Sequence, residues 1–386
     1  MTVEAKARDR FAQHLMDEFA EVTGLSGDKP PRRYLWTDAF AVCNFLGLHR
    51  RSGEGRYLDL ALRLVDQVHH VLGRHRPDDT RRGWIGGRTE GEGERHPTRG
   101  GLRIGKPLPE RAPGDAFDER LEWDRDGQYF HYLTQWLHAL HRVHRETGQP
   151  IFHTWAVELA QAAHATFVRA DSPLGAPRMV WKMSIDLDRV LVPSTGQHDP
   201  LDAWIAYLEL RSATTQPKSA VGSVTLEREI EEAAALCRGA AWATDDPLGI
   251  GALLTSAYRL AAMIVDRGIE GGELLERIVA EAEIGLAAYA RGETLAEPAS
   301  RRLAFRELGL AIGLRALERM LALTARAQRV PKRLANLARY LPLAGRIDDF
   351  WCVASNRQGP TWRTHGDINA VMLATSLAPG GYLGSA

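Results

Sequence analysis

The 386-residue sequence predicts an all-α protein, an array of about twelve helices in pairs, and three observations carry that reading. Apolar residues recur at spacings of three and four through most of the chain, the pattern of amphipathic helices. Glycines and other breakers cut the pattern into segments whose connections alternate between short and long. The first two complete helical hairpins can also be laid over one another at an offset of 95 residues (148 − 53). Gly53 then falls on Gly148, GLHRRSG on RVHRETG, Tyr57 on Phe152, Ala61 on Ala156, Leu64 on Leu159 and His69 on His164. A long-period repeat of paired helices marks a closed or stacked helical array.

The first helix spans Val3 to Val22, with Phe11, Leu15, Phe19 and Val22 on one face. After the breaker SGDKPP, Thr37 and Asp38 can cap a helix that runs to about Arg51, where Gly53 stops it. A third, from Arg56 to about Arg74, aligns Leu60, Leu64, Val68 and Leu72. The stretch from Arg81 to Arg120, rich in Gly, Arg and Glu, has no apolar period. It runs through Trp123, Asp124 and Asp126 into a strongly periodic helix, Gly127 to Glu146. A loop of this length is usually functional or disordered. Carboxylates at a helix start serve either as caps or as chemistry, because unpaired N–H groups and partial positive charge gather there.

A partner helix from Pro150 to Arg169 completes the second hairpin. RMVWKMSIDLDRVL then carries the one β signal, an insertion at 178–192. Met179, Trp181, Met183, Ile185 and Leu187 alternate with Val180, Lys182, Ser184, Asp186 and Asp188, the period of a strand with one apolar face. STGQHDPLDAW opens the next helix, with Asp199 as cap, Pro200 at the favoured first position and Asp202 in the first turn. The remaining helices are Leu226–Trp242, Leu248–Arg267, Gly272–Ala290, Arg301–Thr324, Pro331–Leu341 and Asp367–Leu377. The expectation is a single domain over 1–386 with a site-forming loop at 76–126.

Composition narrows the function. Lys and Arg number 49 and Asp and Glu 49, so nothing in the balance recruits nucleic acid or an anionic membrane surface. Cys43, Cys237 and Cys352 lie far apart, which argues against a disulfide framework or zinc ribbon and for reduced thiols. The N-terminus has no signal-peptide core, and no apolar run reads as a membrane span, so a cytoplasmic protein is expected. Two tempting signals are set aside. Gly100-x4-Gly105-Lys106 lacks the Ser/Thr, the strand and the helix of a P-loop. His131, His138, His141 and His144 crowd one helix without a recognisable zinc ligand set. No metal or cofactor is expected, and nothing sets an oligomeric state.

The long connections deliver acids and aromatics to alternate helices: Tyr34, Trp36 and Asp38; Trp123, Asp124, Asp126 and Tyr129; His198, Asp199, Asp202 and Trp204; Trp351, Trp362, His365 and Asp367. If alternate helices form an inner ring, these residues converge at its mouth. With YLWTD, EWDRDGQYF and QHDPLDAW before such helices, the chain resembles the six-hairpin glycosidase-like superfamily from about Phe11 to Leu377. The resemblance implies an (α/α)6 toroid, and with it hydrolases, polysaccharide lyases and sugar epimerases.

Cleaving a glycosidic bond needs one protonated and one ionised carboxyl, roughly 5 Å apart for retention and roughly 6.5–9.5 Å for inversion. The leading pair is Asp124 with Asp199 or Asp202, with Asp38 and Asp367 as substitutes, and inverting chemistry suits acids drawn from different helix starts. Trp36, Trp123, Trp351 and Trp362 offer apolar faces to sugar rings, beside Tyr129. Arg103, Lys106 and Lys182 could bind an acidic or phosphorylated sugar, with Asp186 near Lys182. The expected partner is therefore a small-molecule or oligosaccharide substrate. The rivals are an epimerase using His198 and His365 as proton-transfer groups, and a non-catalytic carbohydrate-binding toroid.

Overall fold

Helix boundaries in the computed structural model follow the breakers in the sequence. The structure describes residues 3–169, 177–213, 225–327 and 333–384, which fall into two compact units. One comprises Met1–Phe19, Arg50–Gly53 and Ala240–Ala386, the other Ala20–His49 and Glu54–Gly239. The chain opens with α1 (Val3–Val22). Helix α2 (Leu35–Ser52) starts where the Asp38 carboxylate reaches back to accept the Tyr34 N–H at 2.8 Å, satisfying a donor that the helix leaves unpaired. Helix α3 (Gly55–Leu72) follows within a few residues.

The hairpin formed by α2 and α3 recurs as α6 (Phe130–Thr147) and α7 (Pro150–Phe167). The repeat extends to the turn chemistry. Gly53 and Gly148 both adopt positive φ, +74° and +69°. In each turn a histidine ring bonds the carbonyl five residues on, His49 Nδ1 to Glu54 O at 3.0 Å and His144 Nδ1 to Gln149 O at 2.9 Å. Tyr57, Ala61, Leu64 and His69, and their counterparts Phe152, Ala156, Leu159 and His164, are all buried.

Between the hairpins lies the long loop, with two short helices. Helix α4 (Glu90–Arg95) is closed by a Thr89/Glu92 capping box, and α5 (Glu119–Asp124) is capped by Asp118, which accepts the Leu121 N–H at 2.9 Å. Strand β1 (Gln128–Tyr129) then runs directly into α6. β2 (Val168–Arg169) pairs with β3 (Arg178–Met179), whereas β1, β4 (Lys182–Met183) and β5 (Val190–Val192) form an antiparallel sheet in the order β1-β4-β5. The single strand expected through Asp188 therefore stops at Met183. The Ser184 hydroxyl donates to Asp188 at 2.6 Å and accepts the N–H groups of Asp188 and Arg189, folding the chain back, with Leu187 at φ 61°. Lys182, Ser184, Asp186 and Asp188 do not line one face. Helices α8 (Asp199–Ala213) and α9 (Glu227–Leu236) complete this unit, α8 packing against α6 and α7. The helix predicted to reach Trp242 ends near Cys237, where Gly239 adopts φ +73°.

The other unit is built on α10 (Pro247–Arg267) and α12 (Ala304–Ala327), with α11 (Gly272–Arg291) against α10. Gly251 and Gly313 let these backbones meet: a Cβ on Gly251 would stand 2.1 Å from the Gly309 carbonyl oxygen. Helix α10 is long and apolar enough to cross a bilayer, although no such span was read from the sequence. In the fold it is a core helix with 67% of its apolar window buried. The helix expected at Pro331–Leu341 shrinks, within the described residues, to α13 (Leu334–Leu337) and a 3-10 turn, and α14 (Pro342–Cys352) follows. Then come α15 (Pro360–Thr364), α16 (Gly366–Leu377) and α17 (Gly380–Leu383). α14 and α16 both pack on α12.

Gly148→Ala tests the turn. A Cβ there meets nothing within 4 Å, so the cost is the left-handed backbone alone, about 1–2 kcal/mol, read as a lower urea midpoint with an unchanged slope.

Candidate active site

The long loop is tied down by one buried carboxylate. Asp126 Oδ1 accepts the N–H groups of Gly105 at 2.9 Å and Gly127 at 3.1 Å, while Oδ2 accepts from Arg103 at 2.8 Å and Arg76 at 3.4 Å. Arg103 also donates to the carbonyls of Arg74 and Val71, and Arg76 to those of Lys106, at 2.6 Å, and Pro107. A second clamp buries Lys182, whose Nζ lies 2.9 Å from Glu122 Oε1 and donates to the carbonyls of Glu122 and Arg125. A third gathers Asp186, which accepts from His75, Arg81 and the Gly86 N–H. These bonds correct three expectations: Arg103, Lys182 and Asp186 hold the loop, their donors and acceptors spent on the protein.

Over this frame the starts of α2 and α6 and the β-sheet assemble an aromatic cluster. Tyr129, His131 and Trp181 lie nearly parallel, Tyr129 to Trp181 at 4.9 Å and 27°, His131 to Trp181 at 6.2 Å and 10°. Trp123 stands edge-on to Trp181 at 5.3 Å, its side chain still 48% exposed. Tyr132 meets His131 edge-on at 4.6 Å, and its hydroxyl lies 2.5 Å from that of Tyr34. Burial holds the His131 imidazole neutral, its pKa lowered to about 4. Burial likewise pushes the Tyr34 hydroxyl up to about 12, against the Tyr132 hydrogen bond that lowers it.

Two charged side chains beside this cluster are uncommitted. Asp124 is exposed, and among the described residues its carboxylate takes no hydrogen bond or ion pair. It sits at the C-terminal end of α5 and is not a cap: α6 begins after Tyr129 with no side-chain cap, which corrects the expectation of Asp124 or Asp126 capping that helix. Lys106 is half-buried, its Nζ 5.6 Å from the centre of the Tyr34 ring, and it too has no hydrogen bond or ion pair among the described residues. Burial lowers the Lys106 pKa, opposed by the charges of Asp124 and Asp126.

Helix α8 supplies the unusual carboxyl. Asp199, its first residue, is 4% exposed, with Oδ2 buried and without a partner. Burial, reinforced by the neighbouring charge of Asp202, raises its pKa well above the ordinary carboxylate range. β1 runs into α6, and β5 leads to α8 across residues 193–198, where the Thr195 hydroxyl donates to Met179 O at 2.6 Å. With α6 packed on α8, both helices depart from one small sheet. His198 and Asp202 are half-buried beside Asp199.

Asp38 is withdrawn from chemistry: it is buried, bonded to the Tyr34 N–H and 3.5 Å from Arg33. Trp36 is buried against Phe40 at 4.7 Å rather than open to a ligand. The remaining candidates belong to the other unit. There Trp351 is core, donating to Glu307 at 2.8 Å while Arg302 clasps the same carboxylate. Trp362 packs against it at 5.6 Å, also buried, so neither indole offers a face to a sugar. His365 meets Phe305 edge-on, and Asp367 lies in the first turn of α16. Sequence reasoning left Tyr34, His131, Tyr132 and Trp181 out of the site, although Tyr34 had been grouped with Trp36 and Asp38, and the run QYFHY packs four rings into five residues. Among the described residues no His, Cys, Asp and Glu grouping could hold a metal.

No family model matches the chain, and no curated protein matches it in sequence. Solved structures do. A GH76A alpha-1,6-mannanase from Salegentibacter sp. HEL1_6 superposes with a TM-score of 0.54 at 11% identity, covering 96% of this chain and 99% of its own. A cellobiose 2-epimerase from Spirochaeta thermophila DSM 6192 gives 0.54 at 14% identity, with 97% of each chain covered. The fold these likenesses show is the (α/α)6 toroid, with a small β insertion.

Asp126→Ala leaves Arg103 buried without its partner and should cost about 3–5 kcal/mol, measured by chemical denaturation. Asp199→Asn should do the opposite. The folded state holds the Asp199 proton to higher pH than the unfolded chain does, so wild-type stability falls as pH rises from about 4 towards the folded pKa. The amide is exempt, and its advantage should widen by up to about 1.4 kcal/mol per pH unit through that window, visible in melting temperatures taken at successive pH values.

Proposed function

We propose that the chain is a carbohydrate-active enzyme with glycoside hydrolase chemistry, in which Asp199 is the proton donor and Asp124 the carboxylate that acts on water. The observation that carries this reading is Asp199: a buried carboxyl at a helix start, with one oxygen lacking a partner and burial raising its pKa well above the ordinary carboxylate range. A structural carboxyl is normally hydrogen-bonded, whereas a general acid must keep its proton at neutral pH until the leaving oxygen takes it. Asp124, exposed and uncommitted, is suited to drawing a proton from water on the other side of the sugar. Trp123 and Trp181 provide flat apolar faces for a sugar ring. That one solved toroid of this shape is a mannanase and another a cellobiose epimerase supports a sugar as substrate. Cys43, Cys237 and Cys352 form no disulfide, which suits a cytoplasmic setting.

Epimerisation is the second reading, favoured by the cellobiose 2-epimerase likeness and by His131, whose neutral ring leaves Nδ1 without a partner. It would show as solvent deuterium entering a sugar without hydrolysis.

Leaving groups separate the roles. With phenyl glycosides, Asp199→Asn should lose about 10²–10⁴-fold in rate, the usual worth of general acid catalysis. With dinitrophenyl glycosides, which depart without a proton, it should stay near wild type. Asp124→Asn should fail on both. Equal losses by Asp199→Asn on the two substrates would remove it as the proton donor. The wild-type rate on phenyl glycosides should also fall on the alkaline side, as Asp199 ionises.

A further inference from the structure

We infer that the sugar carries an acidic substituent, a carboxylate, sulfate or phosphate, and that Lys106 receives it beside the Tyr34–Tyr132 hydroxyl pair. This deepens the proposed sugar-enzyme reading and rests on it.

The cations that tie the loop down are each paired with carboxylates. Arg76 and Arg103 answer Asp126. Arg111 and Lys182 answer Glu122. Arg81 is shared by Asp79, Glu110 and Asp186, and Arg125 faces Asp115 at 3.4 Å. Lys106, in the middle of them, has no such partner among the described residues, although Asp124 and Asp126 are near enough to influence its charge. Asp126 has already spent its oxygens on two guanidiniums and two backbone N–H groups. The Lys106 ammonium ends a half-buried stem and is itself open to solvent, so an anion from outside can reach it and pair with it.

The ammonium is also held in position. Arg76 grips the Lys106 carbonyl at 2.6 Å and Asp126 the neighbouring Gly105 N–H at 2.9 Å, so the backbone that carries Lys106 is fixed on both sides. Its Nζ lies over the Tyr34 ring. The two tyrosine hydroxyls bond one another at 2.5 Å, which uses one of their two hydrogens and leaves the other to donate. An anion against Lys106 would thus meet an ammonium and a hydroxyl donor together. The aromatic contacts run on from Tyr132 through His131 to Trp181, so a ring resting on Trp181 belongs to the same continuous surface as the anion subsite.

The test is a binding comparison of methyl glucuronide, methyl glucoside, and the 6-sulfate and 6-phosphate of glucose, on wild type, Lys106→Gln, Lys106→Arg and Trp181→Ala. Wild type should prefer the best acidic sugar over the neutral one by about tenfold or more, the usual worth of a hydrogen bond between charged groups. Lys106→Gln should bring the two to parity without weakening the neutral sugar, Lys106→Arg should keep most of the preference, and Trp181→Ala should weaken all the sugars together. The rank of glucuronide, sulfate and phosphate names the substituent. Parity in wild type, or a preference that survives Lys106→Gln, overturns the inference and leaves the sugar-enzyme reading standing. Failure of wild type to bind any of the four at millimolar concentration overturns both.

Discussion

The bond network of Asp126 is the constraint on which the candidate site depends. The loop that precedes α6 has no apolar period and cannot bury itself as a helix does. It is ordered by charge: one carboxylate draws in Gly105, Gly127, Arg103 and Arg76, and those guanidiniums fasten the carbonyls of Val71, Arg74, Lys106 and Pro107. Buried ion pairs are seldom the cheapest route to stability, since desolvation offsets much of the attraction. Their use here is positional, because a network of directional bonds places a long loop in one arrangement where apolar contacts alone would permit several.

What such a frame leaves unbonded is then informative. Most charged groups of the loop have found a partner within the protein, whereas Lys106 and Asp124, with no hydrogen bond or ion pair among the described residues, lie beside the same aromatic surface. Asp199 is a third such group, in a different sense: it is buried away from water and still not bonded at Oδ2. Groups held unsatisfied by a rigid surround reduce stability, and folds tolerate them where a ligand completes them.

The sequence conveyed the helices and their pairing because both are written in local spacing. The 95-residue offset aligned even the histidines that turned out to bond the turn carbonyls, His49 and His144. Asp199 stood out through its neighbours, Pro200 and Asp202. The rest of the site was hidden because it depends on contacts distant in sequence. Arg103 and Lys182 looked like free cations until Asp126 and Glu122, 23 and 60 residues away, were seen to hold them. Trp181 was assigned to an apolar strand face because alternation runs on through Ser184, whose hydroxyl in fact folds the chain back. Asp38 and Trp351 carried the residue types of a sugar site, yet their bonding is that of a helix cap and a core indole.

The edge-on pair of Trp123 and Trp181 has an optical consequence. Most of the chain's ten indoles are shielded from water, whereas Trp123 remains largely wet at 5.3 Å from its half-buried neighbour. A molecule covering that surface would exchange water for ligand around one emitter and alter its electronic coupling to the next. The protein therefore carries a built-in fluorophore at the candidate site, and its emission colour can be followed without any label.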